Sequence, residues 1–452
     1  MKVIIVGINH AGTVAARTLK RLNKDIEVVA YEKSDVISFL GCGIALWVRG
    51  EVKEPNKLFY ASPEILQSEG IKVHKNHEWI GLDAESKKII IKDLGTNKEF
   101  EDNYDMLIVA TGSWPVLPPI PGIELDGVQI CKNYYHAQKI KAANEDAKIK
   151  NVAVIGAGYI GVELVDAFVE SKKNVTLIDV EDAIMPNYFD AELSNHVQKR
   201  MDDAKVNSLL GQKVVEFIGE NGKLKQIKTD KNIVDVDYAV LSVGIKAQTK
   251  LLQGVVELDN RGIVKTNQFM QSSNESIYAI GDCAEVMNLT QGKNTQIALA
   301  TTAVRSGILA AINIATKNTA PQMGFTGANA ISVFGFSMAS TGVSENFARK
   351  LGMDFDSILF TDNDRPEFMS TTKQVWLKLL WNKKTRVLIG AQVGSEANHT
   401  EIIHMLSLAI QKNMTIDELP LVDMFFLPHF NKPYNFVTLA ALEVLGLNYF
   451  KK

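Results

Sequence analysis

The chain has 452 residues, which is enough for about two to four domains of ordinary size. Its 46% hydrophobic and 22% charged residues are typical of a globular protein with buried cores. A formal net charge of −3 argues against a nucleic-acid partner, because phosphate binding usually leaves a basic surplus. No run of about 18 apolar residues occurs, and the first apolar segment, Val3 to Val6, is too short for a signal peptide. These properties predict a cytoplasmic protein with no membrane and no nucleic-acid partner.

The first elements in chain order form a βαβ unit. The apolar run Lys2 to Val6 predicts a buried strand, a helical stretch follows, and Ile26 to Tyr31 predicts a second strand that ends at Glu32. The turn between strand and helix is Gly7-Ile8-Asn9-His10-Ala11-Gly12, and in such turns glycines let the backbone approach a pyrophosphate while the acid binds the ribose. Asn9 replaces the middle glycine, a mild departure because Asn tolerates unusual backbone angles. The unit therefore predicts a dinucleotide site.

A second βαβ unit repeats the pattern with all three glycines. It has the strand Asn151 to Ile155, the turn Gly156-Ala157-Gly158-Tyr159-Ile160-Gly161, a helix to about Ser171, and the strand Asn174 to Ile178 before Asp179. With strand, helix and acid all in place, it predicts a second nucleotide site. An acid at this position favours a free 2′-hydroxyl, since a 2′-phosphate would face like charge. We therefore expect NADH rather than NADPH.

The rest of the chain connects and extends these units. A β-rich excursion at Lys72 to Phe100 is followed by the strand Met106 to Val109, and the proline-rich segment Trp114 to Pro121 predicts a linker. Beyond the second unit we expect strands at Ala239 to Val243 and Ser276 to Ile280. From about Gly324 the pattern predicts an antiparallel sheet with helices, at Ala330 to Phe334, Gln374 to Leu380, Glu401 to Lys412 and Phe436 to Leu445.

The three cysteines are too few and too dispersed for a disulfide framework or a zinc site, and no metal is expected. Cys131 and Cys283 are interpreted as small buried hydrophobic residues. Cys42 differs because it lies between glycines in Ser38-Phe39-Leu40-Gly41-Cys42-Gly43, a short distance after Glu32. It is the candidate redox residue.

Two nucleotide units, the turn Ala110-Thr111-Gly112 after a strand, and a late strand followed by Gly281-Asp282 resemble the pyridine nucleotide-disulfide oxidoreductases over essentially the whole chain. The resemblance implies an α/β fold with two Rossmann-like domains, one for FAD and one for NAD, and a C-terminal α+β dimerisation domain. The implied boundaries are 1–117 and 245–322 for FAD, 118–244 for NADH, and 323–452 for dimerisation. A homodimer is expected.

The resemblance also implies which residues contact the cofactors. Those for FAD are Gly7, Asn9, His10, Ala11, Gly12 and Glu32 at the pyrophosphate and ribose, His77 near the adenine, Asp282 at the ribityl chain or phosphate, and Cys42, Ala110, Thr111, Gly112, Ser113, Lys132, Ala298, Leu299, Ala300 and Phe426. Those for NADH are Gly156, Gly158, Ile160, Gly161, Asp179, Tyr188 and Gly244, with Tyr159 gating the nicotinamide pocket and Glu163 near the nicotinamide amide.

The absence of a second nearby cysteine selects a branch of this family. Disulfide reductases carry a Cys-x-x-x-x-Cys pair, but the matching positions here are Ile37 and Trp47. The pattern resembles the branch of NADH oxidases, NADH peroxidases and coenzyme A-disulfide reductases, in which the cysteine cycles between thiolate and sulfenic acid or binds coenzyme A. A sulfenic acid cycle needs a low-pKa thiolate that peroxide can reach. His10 could stabilise the charged sulfur and shuttle protons.

The C-terminal third narrows the branch. The run from Phe425 to Asn435 resembles water-forming NADH oxidases of lactic-acid bacteria, and a tyrosine-bearing coenzyme A segment is not found. By the same resemblance, Phe426 and His429 approach the flavin of a partner subunit. Other similar segments are Asn133-Tyr134, Ala303-Val304-Arg305-Ser306-Gly307 and Arg365-Pro366-Glu367-Phe368.

The implied reaction uses two NADH to reduce O₂ to two waters, with Cys42 and His10 as the catalytic residues. An NADH peroxidase with the same cysteine cycle is one alternative, and a coenzyme A-disulfide reductase is another. An alternative from a different class is a redox-sensing flavoprotein in which the state of Cys42 controls a partner, but no appended module or basic surface supports it.

Overall fold

The computed structural model describes residues 1–447, so residues 448–452 of the predicted C-terminal domain lie outside the described part. The strands in chain order are β1 (Lys2–Val6), β2 (Glu27–Glu32), β3 (Ile71–Lys75), β4 (His77–Asp83), β5 (Lys88–Asp93), β6 (Glu99–Asn103), β7 (Met106–Val109), β8 (Ser113–Pro115), β9 (Val128–Ile130), β10 (Asn151–Ile155), β11 (Asn174–Asp179), β12 (Asn207–Leu210), β13 (Val214–Glu220), β14 (Lys223–Thr229), β15 (Ile233–Asp235), β16 (Tyr238–Leu241), β17 (Ile245–Ala247), β18 (Ile277–Ala279), β19 (Val286–Asn288), β20 (Lys293–Thr295), β21 (Asn329–Val333), β22 (Phe336–Gly342), β23 (Phe355–Asn363), β24 (Gln374–Asn382) and β25 (Leu388–Ser395). The helices are α1 (His10–Leu22), α2 (Ile44–Arg49), α3 (Pro63–Ser68), α4 (Tyr134–Glu145), α5 (Tyr159–Glu170), α6 (Ala191–Asp203), α7 (Ala300–Thr316), α8 (Glu345–Lys350), α9 (Ile402–Gln411) and α10 (Phe436–Val444).

The first unit is built on a parallel sheet of five strands in the order β18-β7-β1-β2-β3. Its strands are rich in Val and Ile because both faces are covered, as expected for a parallel sheet. Helices α1 and α7 pack closely together, since a Cβ at Gly307 would lie 2.5 Å from the Ala11 carbonyl oxygen. The predicted strand–helix–strand order of the first unit is confirmed.

The second unit has the same architecture, with a five-stranded parallel sheet in the order β12-β11-β10-β16-β9. Helix α5 follows β10 directly, as the glycine pattern predicts, and ends at Glu170. Three-stranded antiparallel sheets are appended to each unit, β4-β5-β6 to the first and β13-β14-β15 to the second. The predicted linker needs a correction, because Trp114 and Pro115 belong to β8, which pairs with β17.

The C-terminal part is a five-stranded antiparallel sheet, β21-β22-β25-β24-β23, covered by α9 and α10. The predicted fold class, two Rossmann-like units followed by an α+β domain, is confirmed. The boundaries 1–117, 118–244, 245–322 and 323–452 remain predictions. Within residues 1–447, no helix is both long enough and apolar enough to cross a membrane.

A buried ion cluster joins the second unit to the C-terminal sheet. Lys378 of β24 is 1% exposed, and its ammonium group lies 2.7 Å from Glu192, 2.8 Å from Glu345 and 3.6 Å from Asp190. Gln392 of β25 donates to Asp190 at 2.6 Å. Because a buried charge is costly unless it is paired, this cluster favours a single placement of the two parts relative to each other.

Candidate active site

The two glycine-rich turns lie at the carboxyl ends of their parallel sheets. Gly7 has φ +92° and Gly156 has φ +109°, a backbone region that L side chains rarely adopt. A Cβ at Gly7 would overlap the carbonyl oxygen of Ala110, and one at Gly156 would lie 2.6 Å from that of Ser242. Each turn is therefore closed against the neighbouring strand in a way that requires glycine.

The acid at the end of the second strand anchors the turn in both units. Glu32 accepts hydrogen bonds from the backbone N–H groups of Ile8 and Ser34, both at 3.0 Å. Asp179 accepts from the N–H of Ala157 and, at 2.8 Å, from that of Glu181. Burial raises the pKa of Glu32, against the opposing effect of these donors. The acids hold the turns in shape besides their predicted contacts with ribose.

A cavity lies beside the second turn. Its volume is about 450 Å³, and Gly156, Asp179, Pro118, Gln212 and Phe217 are among the residues that line it. A Cβ at Gly158 would meet no atom of the described residues within 4 Å, so the middle of this turn opens onto free space. The side chain of Asn9 makes no capping bond to α1, and the N-terminus of that helix remains available to a phosphate.

Other predicted FAD residues form a hydrogen-bonded group. Ser113 donates to Asp282 at 2.7 Å, and the Lys132 ammonium donates to Ser113 at 3.2 Å while lying 3.8 Å from the Asp282 carboxylate. Thr111 instead donates to the carbonyl of Gln248 at 2.6 Å. The structure thus brings Ser113, Lys132 and Asp282 together, although they come from distant parts of the chain.

The remaining predicted FAD residues are more scattered. His77 packs near Tyr31, the residue before Glu32, with ring centroids 6.1 Å apart. Ala298 and Leu299 precede α7, which begins at Ala300. Phe426 is an exposed side chain of the C-terminal part, and its predicted role at a partner's flavin stays a prediction.

Cys42 lies in a single 3₁₀ turn, Gly41–Gly43, and its side chain is exposed. The turn is held against residues 58–60, since the N–H of Leu40 donates to the Leu58 carbonyl at 2.7 Å. A Cβ at Gly43 would overlap the end of the Leu58 side chain, which would have to move to accommodate it. The glycine beside the cysteine therefore lets the loop pack close to its neighbour.

The expectation of a low-pKa thiolate at Cys42 is not met by the surrounding protein groups. Desolvation raises the pKa of the Cys42 thiol, and the negative charges of Glu163 and Asp282 raise it further. A backbone N–H and the Lys132 ammonium act in the opposite direction but do not prevail. The residue is exposed, but the protein groups around its sulfur disfavour the charged form of the thiol.

His10 begins α1, and the charges of Asp282 and Lys132 act on its imidazole. Burial lowers the pKa of His10, while Asp282 acts in the opposite direction. A neutral imidazole is therefore favoured near pH 7, which suits proton transfer better than the predicted stabilisation of a charged sulfur.

Tyr159 and Glu163 belong to α5, the helix that begins at the second turn. Tyr159 and Tyr188 meet edge to face with centroids 4.7 Å apart, and the Tyr159 hydroxyl donates to Asn329 of the C-terminal part. Burial raises the pKa of Glu163 to about 7, partly offset by Arg49. Ile160 is exposed and Gly244 has φ +70°. Their predicted contacts with NADH remain predictions.

Cys131 and Cys283 are buried, as predicted. Burial raises the pKa of Cys131 to about 12, so its thiol is inert near neutrality. The fold nevertheless places its neighbour Lys132 beside the cysteine turn, because a Cβ at Gly41 would lie 3.8 Å from the Lys132 carbonyl oxygen. Sequence separation alone did not reveal this proximity.

Two features near the predicted site carried no sequence motif. Tyr60 stacks on His10, although nothing in its sequence context marks it. Arg49, at the end of the helix that follows Cys42, forms ion pairs with Asp166 and with Glu170 of α5. Asp166 also accepts from the N–H of Phe334 at 3.1 Å, so the cysteine segment, the second unit and the C-terminal part meet at this residue.

Two dinucleotide turns and one exposed cysteine between them define an oxidoreductase that uses a pyridine nucleotide. Residues 1–307 match the model of the pyridine nucleotide-disulphide oxidoreductase family. Residues 329–434 match the model of the dimerisation domain of that family. The chain belongs to this family, whose members are flavoprotein oxidoreductases.

Similar proteins extend over the full chain. An NADH oxidase of Mycoplasma pneumoniae is 41% identical, covering 99% of this chain and 98% of that protein. An NADH oxidase of Enterococcus faecalis is also 41% identical, covering 98% and 99%. The solved structure of the water-forming NADH oxidase from Lactobacillus brevis bound to NADH is 39% identical, with a TM-score of 0.95 and coverage of 99% and 98%.

Proposed function

We propose that the protein is an FAD-dependent NADH oxidase that reduces O₂ to water through a thiolate and sulfenic acid cycle at Cys42. The observation that carries the proposal is the state of the three cysteines. Cys42 is exposed in a turn beside the predicted flavin residues, whereas Cys131 and Cys283 are buried. A sulfur without an accessible partner thiol favours a sulfenic acid over a disulfide. Identity to NADH oxidases over nearly the whole chain supports the same reaction.

The two turns provide the cofactor sites. Gly7, Gly12 and the N-terminus of α1 would hold the FAD pyrophosphate, with Glu32 at the ribose and Asp282, Ser113 and Lys132 along the rest of the cofactor. Gly156, Gly158 and Gly161 would hold NADH, with Asp179 at its ribose. FAD, when bound, would accept hydride from NADH and supply the electrons for oxygen and for Cys42.

Cys42 and His10 would carry out the peroxide step. The sulfur of Cys42 attacks one peroxide oxygen, so that an S–O bond forms, the O–O bond breaks and the sulfur becomes a sulfenic acid. His10, as a neutral imidazole, would accept the proton of the Cys42 thiol and pass it to the leaving hydroxide, which departs as the first water. A second NADH then provides the two electrons that return the sulfenic acid to the thiol and release the second water. The sum is one O₂, two NADH and two protons to two waters and two NAD⁺.

A homodimer is part of the proposal. The match to the dimerisation domain supports it. The segment around Phe425 and Phe430 also leaves large apolar side chains exposed, as a partner-covered surface would in the isolated chain. The cytoplasmic location stays a prediction from the sequence.

The test compares oxygen uptake of the FAD-loaded wild type and Cys42→Ser with NADH. The wild type should consume half an O₂ per NADH, with no oxygen returned when catalase is added. Cys42→Ser should consume about one O₂ per NADH and return oxygen on adding catalase, because peroxide escapes. A wild type that takes up no O₂ but reduces added H₂O₂ would be an NADH peroxidase. A wild type that reduces only coenzyme A disulfide would be a coenzyme A-disulfide reductase. Either result would refute the oxidase proposal.

A further inference from the structure

Tyr60 makes two contacts with the first glycine-rich turn. Its ring stacks on the imidazole of His10, with centroids 5.3 Å apart and planes 9° from parallel. Its hydroxyl donates to the side-chain oxygen of Asn9 at 3.4 Å. Burial raises the pKa of Tyr60, so the hydroxyl stays protonated and remains a donor at neutral pH. One side chain thus fixes two neighbouring residues of the turn.

The backbone at Tyr60 is also joined to the cysteine segment. The N–H of Tyr60 donates to the Ser38 carbonyl at 3.3 Å, and the N–H of Ser38 donates to the Ile8 carbonyl at 3.2 Å. Phe39 and Phe59 form an antiparallel bridge between the same two segments. The charge of a Cys42 thiolate would raise the pKa of Tyr60. Tyr60 therefore lies where the turn and the Cys42 segment meet.

We propose that Tyr60 is a positioning residue that fixes the imidazole of His10 against the Cys42 segment for the reaction of the sulfur with peroxide. The inference rests on the proposed function, because it concerns the cysteine step of that cycle. A nearly parallel stack restricts the tilt of the imidazole, and proton transfer from His10 depends on that orientation. Small misplacements of a proton donor can cost a large part of the rate it provides.

The contact with Tyr60 also explains why Asn9 stands where the second unit has a glycine. The second unit has Gly158 at the middle position of its turn, where no side chain is available as an acceptor. In the first unit the carboxamide oxygen of Asn9 accepts a hydrogen bond from the Tyr60 hydroxyl. The side chain that replaces glycine therefore connects the predicted pyrophosphate turn with the residue packed beside the Cys42 segment. The hydroxyl contact is long and is expected to contribute less than the ring stack.

The test follows oxidation of Cys42 by added H₂O₂ in FAD-loaded, NADH-free protein, read as the loss of the reactive thiol. Cys131 and Cys283 are buried and stay silent toward a thiol reagent in the folded protein. Tyr60→Leu removes the stack and should slow this oxidation about tenfold. Tyr60→Phe keeps the ring and should stay within about threefold of the wild type. Tyr135→Leu is the matched control, because Tyr135 is 39% exposed against 38% for Tyr60 and its hydroxyl bonds Asp35 instead.

The second readout is the rate at which NADH reduces the bound FAD. If Tyr60 acts only in the peroxide step, this rate in Tyr60→Leu should stay within about twofold of the wild-type rate. Oxidation of Cys42 at the wild-type rate in Tyr60→Leu would overturn the inference. So would a Tyr60→Phe variant as slow as Tyr60→Leu, or a loss that falls equally on NADH-driven reduction. If the wild type takes up no O₂ but Cys42 oxidation still depends on the Tyr60 ring, the oxidase proposal fails and the inference stands. If wild-type Cys42 does not react with peroxide, both fail.

Discussion

The two dinucleotide units share a turn geometry but differ at its middle position. Asn9 has φ −102° and Gly158 has φ −77°, so neither position needs the conformational freedom of glycine. The outer position is different, because Gly7 and Gly156 both have strongly positive φ. The first glycine of each turn, which we call the outer glycine, is therefore required by the backbone. The middle position leaves open space at Gly158 in the second unit and places the Asn9 side chain against Tyr60 in the first.

The largest effect should come from breaking the outer glycine. Gly7→Ala forces a Cβ into the Ala110 carbonyl at a positive φ, and we expect a loss of about 4 kcal/mol in the free energy of unfolding together with loss of FAD. Gly158→Ala is the matched change at the middle position and should cost less than about 1 kcal/mol while raising the KM for NADH. Denaturant unfolding and FAD absorbance measure both. Equal losses in the two variants would contradict the assignment of separate roles.

The second unit differs from the first in its buried charge cluster with the C-terminal part. Lys378→Met leaves the buried Asp190 without its cation and removes one of the two cations that pair with Glu345, which keeps Arg349. We expect a loss of about 3 kcal/mol in the free energy of unfolding. The control is Lys383→Met, since Lys383 pairs with Asp356 at the exposed surface and its loss should cost less than about 1 kcal/mol. If the two variants unfold at the same denaturant concentration, the cluster does not stabilise this border.

The acids at the strand ends, Glu32 and Asp179, should each affect the binding of a different cofactor. Asp179→Asn removes the charge that a 2′-phosphate would face, and the preference in kcat/KM for NADH over NADPH should fall about tenfold. Glu32→Gln is the corresponding change in the first unit and should weaken retention of FAD without altering that preference. Steady-state rates with both nucleotides decide the matter. An unchanged preference in Asp179→Asn would remove Asp179 from nucleotide selection.

The smallest expected effect is that of Glu163, a residue of the second unit, on the pKa of the Cys42 thiol in the first unit. Burial raises the pKa of Glu163 to about 7, and its negative charge raises the pKa of Cys42. Glu163→Gln should therefore shift the pH dependence of Cys42 alkylation by iodoacetamide to lower pH. The two proteins should differ above pH 7, where Glu163 is ionised, and converge well below it. A shift to higher pH, or none, would exclude this coupling.

The sequence predicted the local features of both units well, because glycine spacing, apolar strands and a terminal acid are all encoded within a short stretch. The strands Lys2–Val6 and Asn151–Ile155 were placed correctly for that reason. Long-range features could not be predicted the same way. The stack of Tyr60 on His10, the pairing of β8 with β17 and the burial of Lys378 depend on segments that meet only in the fold.

The electrostatic environment of the Cys42 thiol could not be predicted from the sequence for the same physical reason. Desolvation and the charge of Glu163, which belongs to the second unit, determine its pKa, and neither can be read from the residues around Cys42. The identity of the redox residue was local information, whereas its electrostatic environment was not.

The most direct test of the central claim traps the sulfur of Cys42 during turnover. The FAD-loaded protein is mixed with NADH and O₂ in the presence of dimedone, which reacts with sulfenic acids, and the adducts are located by peptide mass spectrometry. We expect one adduct, on Cys42, and none on the buried Cys131 and Cys283. A disulfide between Cys42 and Cys131, or water formed with no adduct at Cys42, would contradict a single-sulfur cycle.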